Sequence, residues 1–217
     1  MRILVVAPHP DDEVLGVGGT LAKCAKTGHE IVLCVVTKAY TPDWSEDFIN
    51  KRKSQIKKCC RILGICSTYF LDFPTAKLDT VPQKDINDSI KKVILDAKPD
   101  TVFVPFGGDL SRDHRIVFES SLVALRPISC KVKRVLAYET LSETEWGISA
   151  FRPNIYSDIT STLEDKINAM KCYPEELKKF PHPRSIEGIR ALAARRGSEI
   201  GVKAAESFFI VREELET

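Results

Sequence analysis

The chain has no apolar run approaching the roughly 20 residues that a membrane-spanning helix requires. It opens directly as Met-Arg-strand, without the longer apolar stretch of a secretory leader, so a cytoplasmic protein with no membrane span is expected. An excess of either charge is also missing. The formal net charge is +2 over 217 residues, which gives nucleic acid and acidic membrane surfaces no bulk electrostatic handle. Cysteine is plentiful but lacks order: the seven cysteines form no CxxC pair, and none stands at metal-type spacing from a histidine. They read as reduced thiols filling a core. Internal repeats, low-complexity segments and a clear linker are lacking too, so one domain over 1–217 is the economical division. Histidine is scarce, at four residues, and where those four fall therefore matters.

What is present is a soluble, globular composition, 43% hydrophobic and 29% charged. Ile3 to Ala7 is a β-branched run without polar alternation, as in a strand covered on both faces. Helical spacing follows from Leu15 to Lys26, then a second apolar strand from Ile31 to Val36. An amphipathic helix from Ser45 to Leu63 stops at Gly64, and Thr68 to Leu71 is a short strand. The pattern next predicts a helix from Lys84 to Ala97, a strand from Thr101 to Val104, a helix from Asp113 to Leu125 and a strand from Lys133 to Tyr138. The last third is less regular, with helices expected from Thr160 to Lys171 and Ser185 to Gly201 and a strand from Phe208 to Val211. Such alternation predicts an α/β fold whose mostly parallel sheet carries helices on both faces.

Ligands of open parallel sheets bind beyond the carboxyl ends of the strands. Two of those ends are unusually polar here, "APHPDDE" after the first strand and "PFGGDLSRDHR" after the fourth, and they hold His9, Asp11, Asp12, Asp109, Asp113 and His114. A dinucleotide loop does not fit. GxGxxG spacing from Gly16 would place its third glycine at Leu21, and three acids would stand where a pyrophosphate needs positive potential. The glycines are better explained by close packing of the first helix on the sheet. A metal resolves the charge problem, since Zn²⁺ accepts imidazole nitrogen and carboxylate oxygen, with three protein ligands and a water in catalytic sites. His9, one of the adjacent aspartates and His114 would supply that set, leaving the other aspartate as general base. Pro8 and Pro10 restrict the backbone around His9. Glu13 is explained by the helix dipole alone.

"APHPDDEVLGVGGTLA" together with the later "DHR" resembles the LmbE-like, or PIG-L, zinc N-deacetylases, and the likeness continues through "KRKSQ", "AYETLSETEW", "FRPNIYSDIT" and "HPRSIEGIRALAARRGSEIGVKAAESF". The resemblance implies a Rossmann-like sheet. It implies removal of an acetyl group from an N-acetylated amino sugar or its conjugate, with Zn²⁺, or Fe²⁺ or Mn²⁺ in its place, held by His9, Asp12 and His114 and with Asp11 as base. Arg52 and Arg184 would contact the substrate, while Asp109 and Asp113 would orient the ligand histidines or cap a helix. The expected partner is thus a small sugar or sugar conjugate, with a homo-oligomer as a further expectation. Many members carry a histidine where this chain has Ser111, and His182 is the replacement expected to serve as acid or oxyanion donor. Gln55 likewise stands where members often place a glutamate. Two other functions remain in view, an amidase for a sugar–thiol conjugate and a catalytically silent zinc or carbohydrate binder. Trp44 and Trp146 are either sugar-stacking or packing residues, His29 a surface residue, and Arg195 and Arg196 a solvated helix face.

Overall fold

Strand β1 (Arg2–Ala7) is apolar on both sides, and both are used: Leu4 and Val6 enter one core, Ile3, Val5 and Ala7 the other. The computed structural model describes residues 1–215. In it β1 pairs in parallel with β2 (Glu30–Lys38) and, on its other edge, with β4 (Thr101–Pro105). β3 (Ile65–Pro74) and β5 (Arg134–Tyr138) extend the parallel sheet on the two sides. β7 (Ala205–Glu213) then runs antiparallel to both β5 and β6 (Ile155–Asp158), closing the order β3-β2-β1-β4-β5-β7-β6. The expected mostly parallel α/β sheet is therefore present.

Helices cover both faces. α1 (Asp12–Lys26), α2 (Glu46–Leu63), α5 (Leu163–Met170) and α6 (Ile186–Ser198) bury Leu21, Ile56, Ile167 and Ile189 in one layer. α3 (Gln83–Ala97) and α4 (Arg112–Ala124) bury Ile86, Ile90 and Val117 in the other. Helix α2 follows its sequence signals closely. Ser45 caps it by accepting the Phe48 N–H, and Gly64 ends it at φ +71°, where a side chain would be strained. The helix-packing reading of the early glycines also holds, since a Cβ on Gly16 would lie 2.2 Å from the Tyr138 ring on β5.

Several boundaries differ from the sequence pattern. α1 starts at Asp12 rather than Leu15, placing Asp12 and Glu13 inside its first turn. β3 spans ten residues rather than four, because an edge strand exposes one side and its polar Ser67 and Asp72 hide its two ends from an apolar-run criterion. β6 is short and half exposed, and no pattern marked it. Arg196 is not solvated as expected: it makes two 2.7 Å bonds to Glu139 just beyond β5, and Arg195 alone faces water.

A buried ion pair within the C-terminal third docks it onto the backbone of α1. Buried Lys166 of α5 donates to Glu206 of β7 at 2.6 Å and to the Leu15 carbonyl at 2.8 Å. Glu206 in turn accepts the backbone N–H groups of Gly19 and Thr20, so its charge is fully hydrogen-bonded.

Candidate metal centre

β1 and β4 are neighbours at the point where the chain order of the sheet reverses, so the segments leaving their carboxyl ends diverge around a common crevice. The first segment delivers His9, Asp11 and Asp12, and the second delivers Asp109, Asp113 and His114 at the start of α4. Residues a hundred apart in sequence therefore meet. His9, Asp12 and His114 each offer a ligand atom, and those atoms lie within 4.8 Å of one another. Asp12 Oδ2 is 3.4 Å from His9 Nδ1 and 3.3 Å from His114 Nε2.

The far nitrogen of each ring is held by a carboxylate. His9 Nε2 is 3.0 Å from Asp113 Oδ2, and His114 Nδ1 is 2.8 Å from Asp109 Oδ2. This arrangement fixes both ring orientations and points one lone pair of each imidazole toward Asp12, which is what a divalent cation requires of histidine ligands. The donor set fits such an ion. The supporting carboxylates are themselves pinned: Asp109 accepts Thr144 Oγ1 at 2.6 Å, and Asp113 accepts the N–H groups of Ala76 and Leu78. Electrostatics show the same demand for positive charge. Burial opposes a charge on His9, but Asp113 and Asp12 outweigh it and carry its pKa to about 9. Burial also works against ionisation of Asp12, yet the His114 and His9 imidazoles hold it far below the usual carboxylate range.

Asp11 stands beside the cluster in a constrained conformation. As the N-cap of α1 it sits at φ +121°, outside the regions an ordinary side chain favours, at a cost of about 1–3 kcal/mol. Glu13 offsets that cost. Its Oε2 accepts the Asp11 N–H at 3.0 Å, while Oε1 accepts the Tyr173 hydroxyl at 2.7 Å and the Cys59 thiol at 3.3 Å. Glu13 is fully buried, so the helix-dipole account is incomplete: it is a brace for the Asp11 backbone, tied to α2 and to the segment after α5. Burial and the neighbouring Asp12 raise the Asp11 pKa well above the ordinary value.

A cavity of about 300 Å³ opens over these residues, with Trp44, Phe48, Ile49 and Phe70 giving it an apolar wall. Arg52 and Arg184 both line it and share one carboxylate, Glu176. Arg184 also approaches Asp11 Oδ2 at 3.4 Å. Arg52 is not on a solvated helix face: it is buried under Phe48, 4.4 Å from the ring centroid. Gln55, one turn on, reaches Glu175 instead of the cavity.

Other predicted residues lie farther out. Ser111 caps α4 without a side-chain cap bond and contributes only its N–H, which Glu143 Oε2 accepts at 2.9 Å. His182 does not line the cavity; its ring packs edge-on against Trp146 with centroids 5.9 Å apart, and its Nδ1 accepts the Arg184 N–H. His29 sits at the surface beside the chain's amino group, as expected. Glu176 and Tyr173 gave no signal in sequence, because Glu176 meets Arg52 and Tyr173 meets Glu13 across more than a hundred residues, and Glu143 and Thr144 lay in the "AYETLSETEW" stretch without a role of their own.

The family described as PIG-L, GlcNAc-PI de-N-acetylase, matches residues 4–125, a stretch holding both polar strand ends. The uncharacterized deacetylase YaiS of Escherichia coli K12 is 30% identical over 165 residues, covering 72% of this chain and 81% of the relative. Diacetylchitobiose deacetylase of Thermococcus kodakarensis is 24% identical over 227 positions, covering 97% and 83%. Among solved structures, a conserved protein of Thermus thermophilus matches with a TM-score of 0.82 at 25% identity, over 99% of this chain and 96% of that one. The chain belongs to the PIG-L, or LmbE-like, family.

Proposed function

We propose that the protein is a metal-dependent hydrolase that removes an acetyl group from the amide nitrogen of an N-acetylated amino sugar or a conjugate of one. One observation carries the reading: two strand-end histidines, each braced by a carboxylate, face Asp12 on the floor of a cavity that also holds Asp11. The deacetylase relatives, one of them named for diacetylchitobiose, support the substrate class.

His9, Asp12 and His114 would hold the ion. When bound, a divalent cation such as Zn²⁺, Fe²⁺ or Mn²⁺ supplies Lewis acidity toward an amide carbonyl and toward water. Asp11 is kept out of the ligand set by its N-cap geometry and takes the proton of the attacking water. Arg184 steadies that carboxylate. Arg52 Nη1 and Arg184 Nε are buried without a hydrogen-bond partner among the described residues, and these unused donors bind the sugar hydroxyls. Asp109 and Asp113 hold the imidazoles in register.

The test is acetate release over N-acetyl amino sugars and their nucleotide, lipid and small-molecule conjugates. Release should vanish on chelation and return with added Zn²⁺, Fe²⁺ or Mn²⁺. No release from any substrate by metal-loaded protein would leave a silent binder.

A further inference from the structure

Amide cleavage needs a proton at the departing nitrogen, because an amide anion is too basic to leave. Most protonatable side chains around the cavity are already committed. His9 and His114 face Asp12, Asp11 receives the water proton, and Glu176 lies between two arginines. Glu143 is different. It follows β5, and its backbone is fixed at both ends: its N–H donates to the Thr140 carbonyl, and its own carbonyl accepts the Leu110 N–H at 3.0 Å. Its Oε2 is anchored on the Ser111 N–H, three residues before His114, and Oε1 has no hydrogen-bond partner among the described residues. Its side chain lines the cavity.

Glu143 and Asp11 face different sets of charges. The charges around Asp11 are Asp12, Glu176, Arg184 and Glu13, whereas those around Glu143 are His114, Asp12 and Asp109. Burial raises its carboxyl above the usual range, which favours the protonated form. His182, by contrast, lies outside the cavity lining with one ring nitrogen already taken.

We propose that Glu143 is the acid that protonates the departing amine. This assignment rests on the deacetylase reading above. As the tetrahedral adduct collapses, the C–N bond breaks and its electron pair stays on nitrogen. The proton of Glu143 moves to that nitrogen, and Glu143 is left as a carboxylate. The water proton held by Asp11 and the one lost by Glu143 balance, so amide plus water gives amine plus acetic acid, and solvent exchange resets both groups.

The experiment compares the parent, Glu143→Gln and Glu143→Asp on an N-acetyl amino sugar and on 4-nitrophenyl acetate, whose phenolate leaves without a proton. Glu143→Gln should lower kcat on the amide by on the order of 10²-fold or more and leave the ester rate within about threefold. Metal content and melting temperature should match the parent, and Glu143→Asp should recover part of the amide rate. Equal loss on both substrates, unchanged amide turnover or loss of metal would overturn the assignment. A parent that cleaves the ester but no N-acetyl sugar would overturn the deacetylase reading and this assignment with it.

Discussion

His9, Asp12 and His114 reach the cavity from the ends of two adjacent parallel strands, whereas Glu176 and Arg184 reach it from the irregular segment between α5 and α6, from which Tyr173 bonds to Glu13 behind the cavity wall. The first group sits on short segments whose direction is set by the sheet, and each of its two histidines is fixed by a carboxylate within hydrogen-bond distance. The second group makes no cluster of its own. It braces Asp11 through Glu13 and divides one carboxylate between two arginines. On the proposed function the strand ends carry the reacting groups, and the C-terminal third holds them in place and shapes what can bind.

That division can be broken most severely at His114. His114→Ala removes a ligand and leaves buried Asp109 and Asp12 short of a partner. Metal content and turnover should both fall to background, with a stability loss of about 3–5 kcal/mol by denaturant unfolding. Asp11→Asn should separate the chemistry from the ion, with turnover falling by on the order of 10²–10⁴ and metal retained by elemental analysis. Loss of the ion there would show that the two aspartates do not divide their labour as proposed.

On the other side of the comparison, Lys166→Met strands Glu206 without its cation, and melts should show a loss of about 3 kcal/mol with kcat per folded molecule near the parent value. Glu176→Gln uncouples Arg52 from Arg184 and should raise KM about tenfold, equivalent to about 1.4 kcal/mol, with a smaller change in kcat. The smallest effect is expected at His182. Its place against Trp146 predicts that His182→Ala keeps kcat within about twofold, far above the 10²-fold loss typical of removing a general acid.

The bearing of each residue on the site was legible to very different degrees. "PHPDDE" and "RDHR" announced themselves because unusual polar residues interrupt apolar strands, and the family likeness assigned their order. Arg52 was singled out through the family likeness, and only the structure shows that it packs under Phe48 and pairs with Glu176. Glu13 was noticed, but helix-terminal acids are common, and nothing local shows that Tyr173 and Cys59 converge on it. Glu176 was silent, an ordinary acid in a polar segment, and Glu143 was one of three glutamates in "AYETLSETEW", with nothing local to single it out.

The sequence by itself determined the parallel α/β sheet, the helices on both faces and the two strand ends that matter, because hydrophobic periodicity and strand-end polarity are local properties of the chain. The tertiary structure alone decided that those ends meet through the β1–β4 pairing, that a brace holds Asp11 at positive φ, and that Glu143 rather than His182 lines the cavity. These depend on partners up to 160 residues apart, as in the Glu13–Tyr173 bond, and only the sheet order brings them within hydrogen-bond distance.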